Sequence, residues 1–222
     1  MNDRSVIYYP GVKMSPLVSA NHREQYLQER REEIVDAAIQ VFDRKGLGAT
    51  VADIASGAGI SKGTIYLYFE SKEQIFTAIL NERSFVPILA DLVVENQPLE
   101  VVLRNIAESF LRYMETHLSL VRIAMSDSAR FPEHARQVYQ ESVLKGNLIL
   151  ADFLENRSEA GLIRPLENPF LTARAFMGMV MFHVLTQEIL SGKDITPIEQ
   201  KTWVNEIIRV FLDGVTIKDT EL

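Results

Sequence analysis

Apolar residues recur at helical spacing along most of this chain, and the spacing first becomes regular near residue 34. Over residues 22–45, Ile34, Ala37, Ala38, Val41 and Phe42 fall at i, i+3, i+4, i+7 and i+8, which is one stripe of an amphipathic helix. Gly46 ends it as a C-terminal cap. Thr50 followed by Asp53 has the spacing of a capping box, with the shorter acid where Glu or Gln is usual. A short helix carrying Ile54 and Ala55 is expected to follow as far as Gly57. "GAGI" is then a tight turn. Ser61 caps a third helix over residues 62–68, and Ser71 with Gln74 forms a second capping box that opens a fourth helix over residues 71–92. Two short helices joined by a glycine turn, between two longer ones, is the helix-turn-helix layout.

Past "ENQPLE" the helices lengthen. Leu99, Val102, Leu103, Ile106, Phe110, Tyr113 and Met114 form one stripe, and further helices are predicted over residues 133–157, 169–190 and 197–212, the last two opening on prolines. No segment alternates with period two and no repeat recurs, so the chain reads as all-α. Residues 1–22, with Pro10, Gly11 and Pro16, read as an irregular arm.

Composition narrows the chemistry. The 222 residues include no cysteine, which removes disulfides, thiolate metal sites and a thiol nucleophile. The net charge of −7 argues at first against nucleic acid. By region, residues 23–83 carry eight basic and ten acidic side chains, whereas residues 84–222 carry thirteen and nineteen. The acidic excess therefore sits in the C-terminal part. The N-terminus lacks the apolar stretch of a signal peptide, and the longest apolar run, residues 175–185, is interrupted by His183 and shorter than a bilayer span. The expectation is a cytoplasmic protein with no membrane partner.

The stretch "GAGISKGTIYLYF", residues 57–69, raises the question of a phosphate loop. A nucleotide loop needs G-x-x-x-x-G-K-[ST] between a strand and a helix; here Lys62 precedes Gly63, and no strand comes before. The spacing of Gly57, Gly59 and Gly63 also fails G-x-G-x-x-G. The other phosphate is that of DNA. A seven- or eight-residue helix is about 12 Å long and lies within a major groove about 12 Å wide. Ile65 and Phe69 would anchor it, leaving Lys62, Thr64, Tyr66, Leu67 and Tyr68 outward to varying degrees. The competing reading makes Tyr66 and Tyr68 half-buried packing residues with wet hydroxyls.

Residues 30–76, "RREEIVDAAIQVFDRKGLGATVADIASGAGISKGTIYLYFESKEQIF", resemble the DNA-binding domain of the TetR/AcrR family of bacterial transcriptional regulators. The resemblance implies a homodimeric, ligand-responsive repressor on a palindromic double-stranded DNA operator, with a C-terminal domain that binds a small apolar effector and forms the dimer interface. It implies DNA contacts by Thr50, Ser61, Lys62, Gly63, Thr64, Tyr66, Tyr68 and Lys72. Thr50 and Lys72 would position the backbone, Thr64 and Tyr66 would read base edges, and Tyr68 would serve either purpose. Glu70 departs from the family pattern, as does the long arm, whose Arg4, Lys13, His22 and Arg23 would either enter a minor groove or serve a simple surface or dimer-packing role. The expected division is an arm over residues 1–22, a three-helix helix-turn-helix domain over 23–92 with its motif at 50–69, and a helical ligand-binding and dimerisation domain over 93–222.

In that last domain residues 169–190 are apolar nearly all round. With Val204, Ile207, Ile208 and Phe211, this suggests either a four-helix interface about a two-fold axis or a central helix buried within one subunit. Met114, Met125, Phe176 and Met179 are candidate pocket residues, with Phe182 beside them, and His117 and His183 are candidate polar handles or structural histidines. Ser142 and Lys145 match S-x-x-K without its partner motifs. Catalytic residues, a metal and a cofactor are all expected to be absent. Two other readings compete, a C-terminal domain that binds a protein partner and a helical enzyme with a borrowed helix-turn-helix.

Overall fold

The computed structural model describes residues 16–46, 48–118, 121–122, 125 and 132–216, and among these every regular element is helical. Helix α1 spans Pro16–Lys45, α2 Val51–Gly57, α3 Lys62–Ile65, α4 Lys72–Glu82, α5 Val86–Leu92 and α6 Leu99–Thr116. A long helix follows as α7 (Pro132–Val138), a π-helical turn (Tyr139–Leu144) and α8 (Lys145–Glu159). Helix α9 (Pro169–His183) runs into a second π-helical turn (Val184–Ile189), and α10 (Gln200–Val215) ends the described chain.

Two hydrophobic cores divide the work. The first gathers Ile34, Val35, Ala38, Val41 and Phe42 of α1 with Ile54, Ala55, Ile65, Phe69, Ile75, Phe76 and Ile79. Phe42 meets Phe76 edge-on at 6.4 Å. The second begins at Phe85 and Leu89 and is filled by the inward stripes of α6, α8, α9 and α10. The buried residues of the first core end at Ile79 and those of the second begin at Phe85, so the chain passes from one core to the other there.

A covalent constraint sets that boundary. Pro87 has no N–H to donate to the carbonyl four residues earlier, so the helix expected over residues 71–92 breaks into α4 and α5 at Arg83. The Arg83 carbonyl takes its hydrogen bond from the Tyr113 hydroxyl of α6 instead. Burial pushes the Tyr113 phenol up to about 12, against a smaller opposing pull from Arg83, so the proton is kept. The Arg83 guanidinium reaches Asp36 of α1 at 2.6 Å, and Arg31 pairs with Glu82. Gln137 donates to the Thr77 hydroxyl at 2.6 Å, and Val138 packs against the first core. Helix α4 is therefore held by both domains.

Other boundaries differ from the sequence expectation. Helix α1 begins at Pro16, inside the stretch expected to be irregular; Arg4 and Lys13 of the proposed arm lie outside the described residues. Helix α3 closes at Ile65, and residues 66–68 continue as a tighter turn through Leu67 N to Thr64 O and Tyr68 N to Ile65 O. Pro197 precedes the last helix by three residues rather than opening it. The segment Pro169–Ile189 is, by length and composition, long and apolar enough to cross a membrane, more than the run of residues 175–185 suggested. One side of it, with Ala173, Phe176, Val180 and Val184, lies in the second core. The buried Arg157 guanidinium donates to the carbonyls of Glu95 and Gln97 at 2.5 Å each, pinning the link between α5 and α6.

The glycines of the turn answer to packing rather than to phosphate. A Cβ on Gly57 would stand 2.7 Å from Cγ2 of the buried Val41, so α2 crosses α1 only with a hydrogen at that point. Gly59 sits at φ 67°, where side chains are disfavoured by about 1–2 kcal/mol. Gly57→Ala is expected to destabilise the chain by about 1–3 kcal/mol, since the β-branched Val41 strongly prefers one χ1 rotamer in a helix; denaturant midpoints measure it. Tyr113→Phe leaves the Arg83 carbonyl without that donor and is expected to cost about 1–3 kcal/mol in the same assay.

Candidate nucleic-acid interface

A helix of four residues has no stability of its own, so its position depends on what it buries. Ile65 and Phe69 are buried in the first core, worth about 1.5–3 kcal/mol each. The Arg31 guanidinium covers the Phe69 ring at 4.9 Å. The opposite side of the segment consists of Ser61, Lys62, Gly63, Tyr66 and Leu67, all exposed. Lys62 Nζ lies 5.7 Å from the centre of the Tyr66 ring, placing ammonium and phenol together on that side. Tyr68 is half-buried against the first core.

Several expected DNA contacts spend their hydrogen bonds inside the protein. Thr50 caps α2: its hydroxyl donates to Asp53 Oδ2 at 2.7 Å and accepts from Asp53 N at 3.2 Å, while its own N–H donates to Asp53 Oδ2 at 2.8 Å. The pair is a complete capping box despite the short acid. The Lys45 ammonium at 2.5 Å, together with Thr50, holds the Asp53 carboxyl well below the usual carboxylate range. Ser61 caps α3, its oxygen accepting from Thr64 N at 3.0 Å and standing 2.8 Å from the Thr64 hydroxyl. Lys72 opens α4, half-buried. Ser71 accepts from Gln74 N at 3.2 Å, but Gln74 reaches back one residue further than a capping box does, accepting from Glu70 N at 2.8 Å. Gln74 also donates to Glu70 Oε2 at 3.0 Å, which ties the acid's carboxylate to α4.

Leu67 is the outward residue that the contact set left out. It is 82% exposed, against 47% for Tyr66. The signal was present in its place midway between the anchors Ile65 and Phe69, two residues from each and so on the far side of a helical turn.

The C-terminal candidates separate into groups. Met114 and Met179 are partly buried at the second core, where Phe176 meets Phe211 edge-on at 5.1 Å. His183 is buried with its ring 5.8 Å from that of Trp203, and both His183 Nδ1 and Trp203 Nε1 are buried without a hydrogen-bond partner. Burial lowers the His183 pKa, with Glu188 and Glu115 opposing. His117 stacks on Tyr113 at 4.2 Å, with Nδ1 2.9 Å from the Tyr113 carbonyl, at the end of α6 beside the domain junction. Met125 is 43% exposed. A depression of about 460 Å³ lies elsewhere, lined by Pro132, Ala135, Arg136, Tyr139, Gln140 and Leu144, all from one helical run.

Two short helices around a glycine turn, with an outward basic and aromatic side, define a helix-turn-helix DNA-binding protein. Residues 34–79 match the bacterial regulatory proteins of the tetR family, and residues 101–214 match the C-terminal domain of AefR-like transcriptional repressors. The chain belongs to the tetR family of transcriptional regulators. It is similar to the repressor KstR2 of Mycobacterium tuberculosis, 34% identical over 146 residues that cover 63% of this chain and 72% of that protein. The uncharacterised regulator YfiR of Bacillus subtilis is 41% identical over 68 residues, 30% of this chain and only 31% of that protein. The fold superposes on FadR of Bacillus subtilis, solved in complex with stearoyl-CoA, with a TM-score of 0.69 at 22% identity, covering 82% of this chain and 98% of that one.

Gly63 offers a test that separates interface from scaffold. A Cβ there would meet only Ser61 Oγ, at an ordinary 3.7 Å. Gly63→Ala is therefore expected to leave the melting temperature unchanged or raised, since alanine favours the helix by about 1 kcal/mol, and to weaken DNA binding by holding the backbone away from the groove. Melting curves and duplex titrations on the same preparation check both.

Proposed function

We propose that this chain is a ligand-responsive repressor that binds a palindromic operator as a homodimer, and that a small apolar effector of its C-terminal domain releases it. The observation that carries this reading is the outward side of Lys62, Gly63 and Tyr66, backed by buried Ile65 and Phe69 and joined through α4 to a helical domain twice its size. Lys62, Tyr66 and Tyr68 are the groups proposed to meet DNA directly, with Lys72 on the backbone. Thr50, Ser61 and Thr64 act by shaping the helix starts, and they touch DNA with their remaining lone pairs or through water.

The proposed dimer contact is the outer face of α9. Leu171, Ala175, Gly178 and Phe182 recur there at spacings of four, three and four, with Leu171 57% and Phe182 55% exposed. An added Cβ on Gly178 would meet nothing within 4 Å, so another helix has room to approach closely. Such a face suits the same face of a second copy about a two-fold axis. For the effector, the proposed site lies beside Met114, Met179 and His183, where His183 Nδ1 and Trp203 Nε1 supply polar groups without partners in an apolar setting. The similarity to FadR, which was solved with stearoyl-CoA, makes long acyl chains a first class of compound to try.

Selection from random duplexes followed by ligand titration tests this. Palindromic sites are expected, with half-site centres about 34–36 Å apart or a multiple of that. A compound that raises the melting temperature should bind five- to 150-fold more weakly once operator is present, because coupling of about 1–3 kcal/mol is reciprocal. Unrepeated single sites would sink the dimeric reading. Equal ligand affinity with and without operator would transfer the regulatory role to a protein partner.

A further inference from the structure

We infer that Leu67 is a specificity residue that reads the C5-methyl group of one thymine in each half-site. The inference rests on the DNA-binding reading above and extends it to a residue outside the contact set that the family resemblance implies.

Leu67 contributes little to folding. It is 82% exposed, and the anchoring of its segment is already done by Ile65 and Phe69. Its backbone N–H is used, donating to the Thr64 carbonyl at 3.1 Å, so the turn fixes where the side chain departs. Gly63 lies one helical turn earlier on the same side, and the space around it is open apart from Ser61 Oγ. A surface coming against this side meets bare backbone at residue 63 and then an isobutyl group at residue 67.

The polar groups nearby make the assignment sharper. The hydroxyls of Ser61 and Thr64 face each other at 2.8 Å, and Thr50 Oγ1 donates to Asp53. The Glu70 carboxylate is tied to the Gln74 amide. Hydrogen-bond reading of base edges at this surface is thus concentrated in Lys62 and Tyr66, and the most exposed large apolar side chain beside them, Leu67, is aliphatic. In the major groove the base edges are polar donors and acceptors with one exception, the methyl group at C5 of thymine. An aliphatic side chain on a reading surface has that one apolar counterpart. Cytosine carries a hydrogen at C5 in place of that methyl group, so the apolar contact is lost with it.

The experiment uses the full chain and a duplex that it selects from random sequence. Each thymine is replaced singly by deoxyuridine, which removes the methyl and keeps the Watson–Crick pairing. One thymine per half-site is expected to lose about fourfold in affinity on this change, the equivalent of one buried methyl. Leu67→Ala should bind thymine and deoxyuridine duplexes equally at that position, keep the wild-type melting temperature, and retain its other base preferences. Leu67→Met should keep the discrimination. The inference is overturned if no thymine in the half-site is sensitive, or if Leu67→Ala still discriminates while Tyr66→Ala does not. Failure of the wild type to select any duplex would overturn the DNA-binding reading and the inference with it, whereas selected duplexes indifferent to methyl removal would overturn the inference alone.

Discussion

The hydrogen bond from the Tyr113 hydroxyl to the Arg83 carbonyl is where the two halves of the molecule meet. It exists because Pro87 has no N–H to offer, and an unpaired carbonyl at a half-buried helix end costs about as much as a lost hydrogen bond. The same residue that accepts from α6 through its backbone holds α1 through its guanidinium and Asp36. The end of α6, where Tyr113 and His117 stack, is thus connected to α1 through Arg83, whose carbonyl meets Tyr113 and whose guanidinium meets Asp36. Ser71, the N-cap of α4, lies two residues past the anchor Phe69, so only Glu70 separates the reading segment from that cap. The second connection, Gln137 to Thr77 with Val138 on the first core, lies next to a π-helical turn, a geometry that often marks functional segments.

Much of this was legible in the chain, for reasons that differ by element. The stripes of α1 and α6 repeat apolar residues over several turns, and most of each stripe is buried, with Val35, Ala107 and Leu111 buried beside it and Leu99, Tyr113 and Met114 only partly buried. The caps at Thr50 and Ser61 were legible because capping is local chemistry, readable from three residues. The break at Arg83 was masked by periodicity: Phe85, Leu89 and Leu92 keep helical spacing across it, while Pro87 supplied the contrary signal. The start of α1 at Pro16 was missed because residues 16–29 favour a helix by propensity, in residues such as Gln, Glu and Arg, without an apolar stripe.

The site was legible in kind more than in detail. Sequence spacing marked Lys62, Gly63, Tyr66 and Tyr68 as outward or half-outward, and they are. It gave no account of where hydroxyl protons go, because Thr50 and Thr64 have the same composition whether they face a phosphate or a neighbouring side chain. Partner choice for a hydroxyl depends on distances of a few tenths of an ångström, which only the folded arrangement defines. The same limit applied to His183, whose burial against Trp203 depends on how α9 and α10 cross.

The charge pattern then constrains how such a protein holds DNA. Non-specific affinity grows with the number of phosphates neutralised by lysine and arginine. Here Lys45, Arg30, Arg31 and Arg83 are each paired with a carboxylate. These pairs leave fewer free cations on the N-terminal domain, and the acidic excess of the C-terminal part lies beside them. Discrimination must come from fit: a short reading segment fixed by two buried anchors, a bare glycine for close approach, and a few protruding side chains. Fit of that kind falls steeply when the reading segment is displaced, because contacts to base edges depend on distances of a few tenths of an ångström.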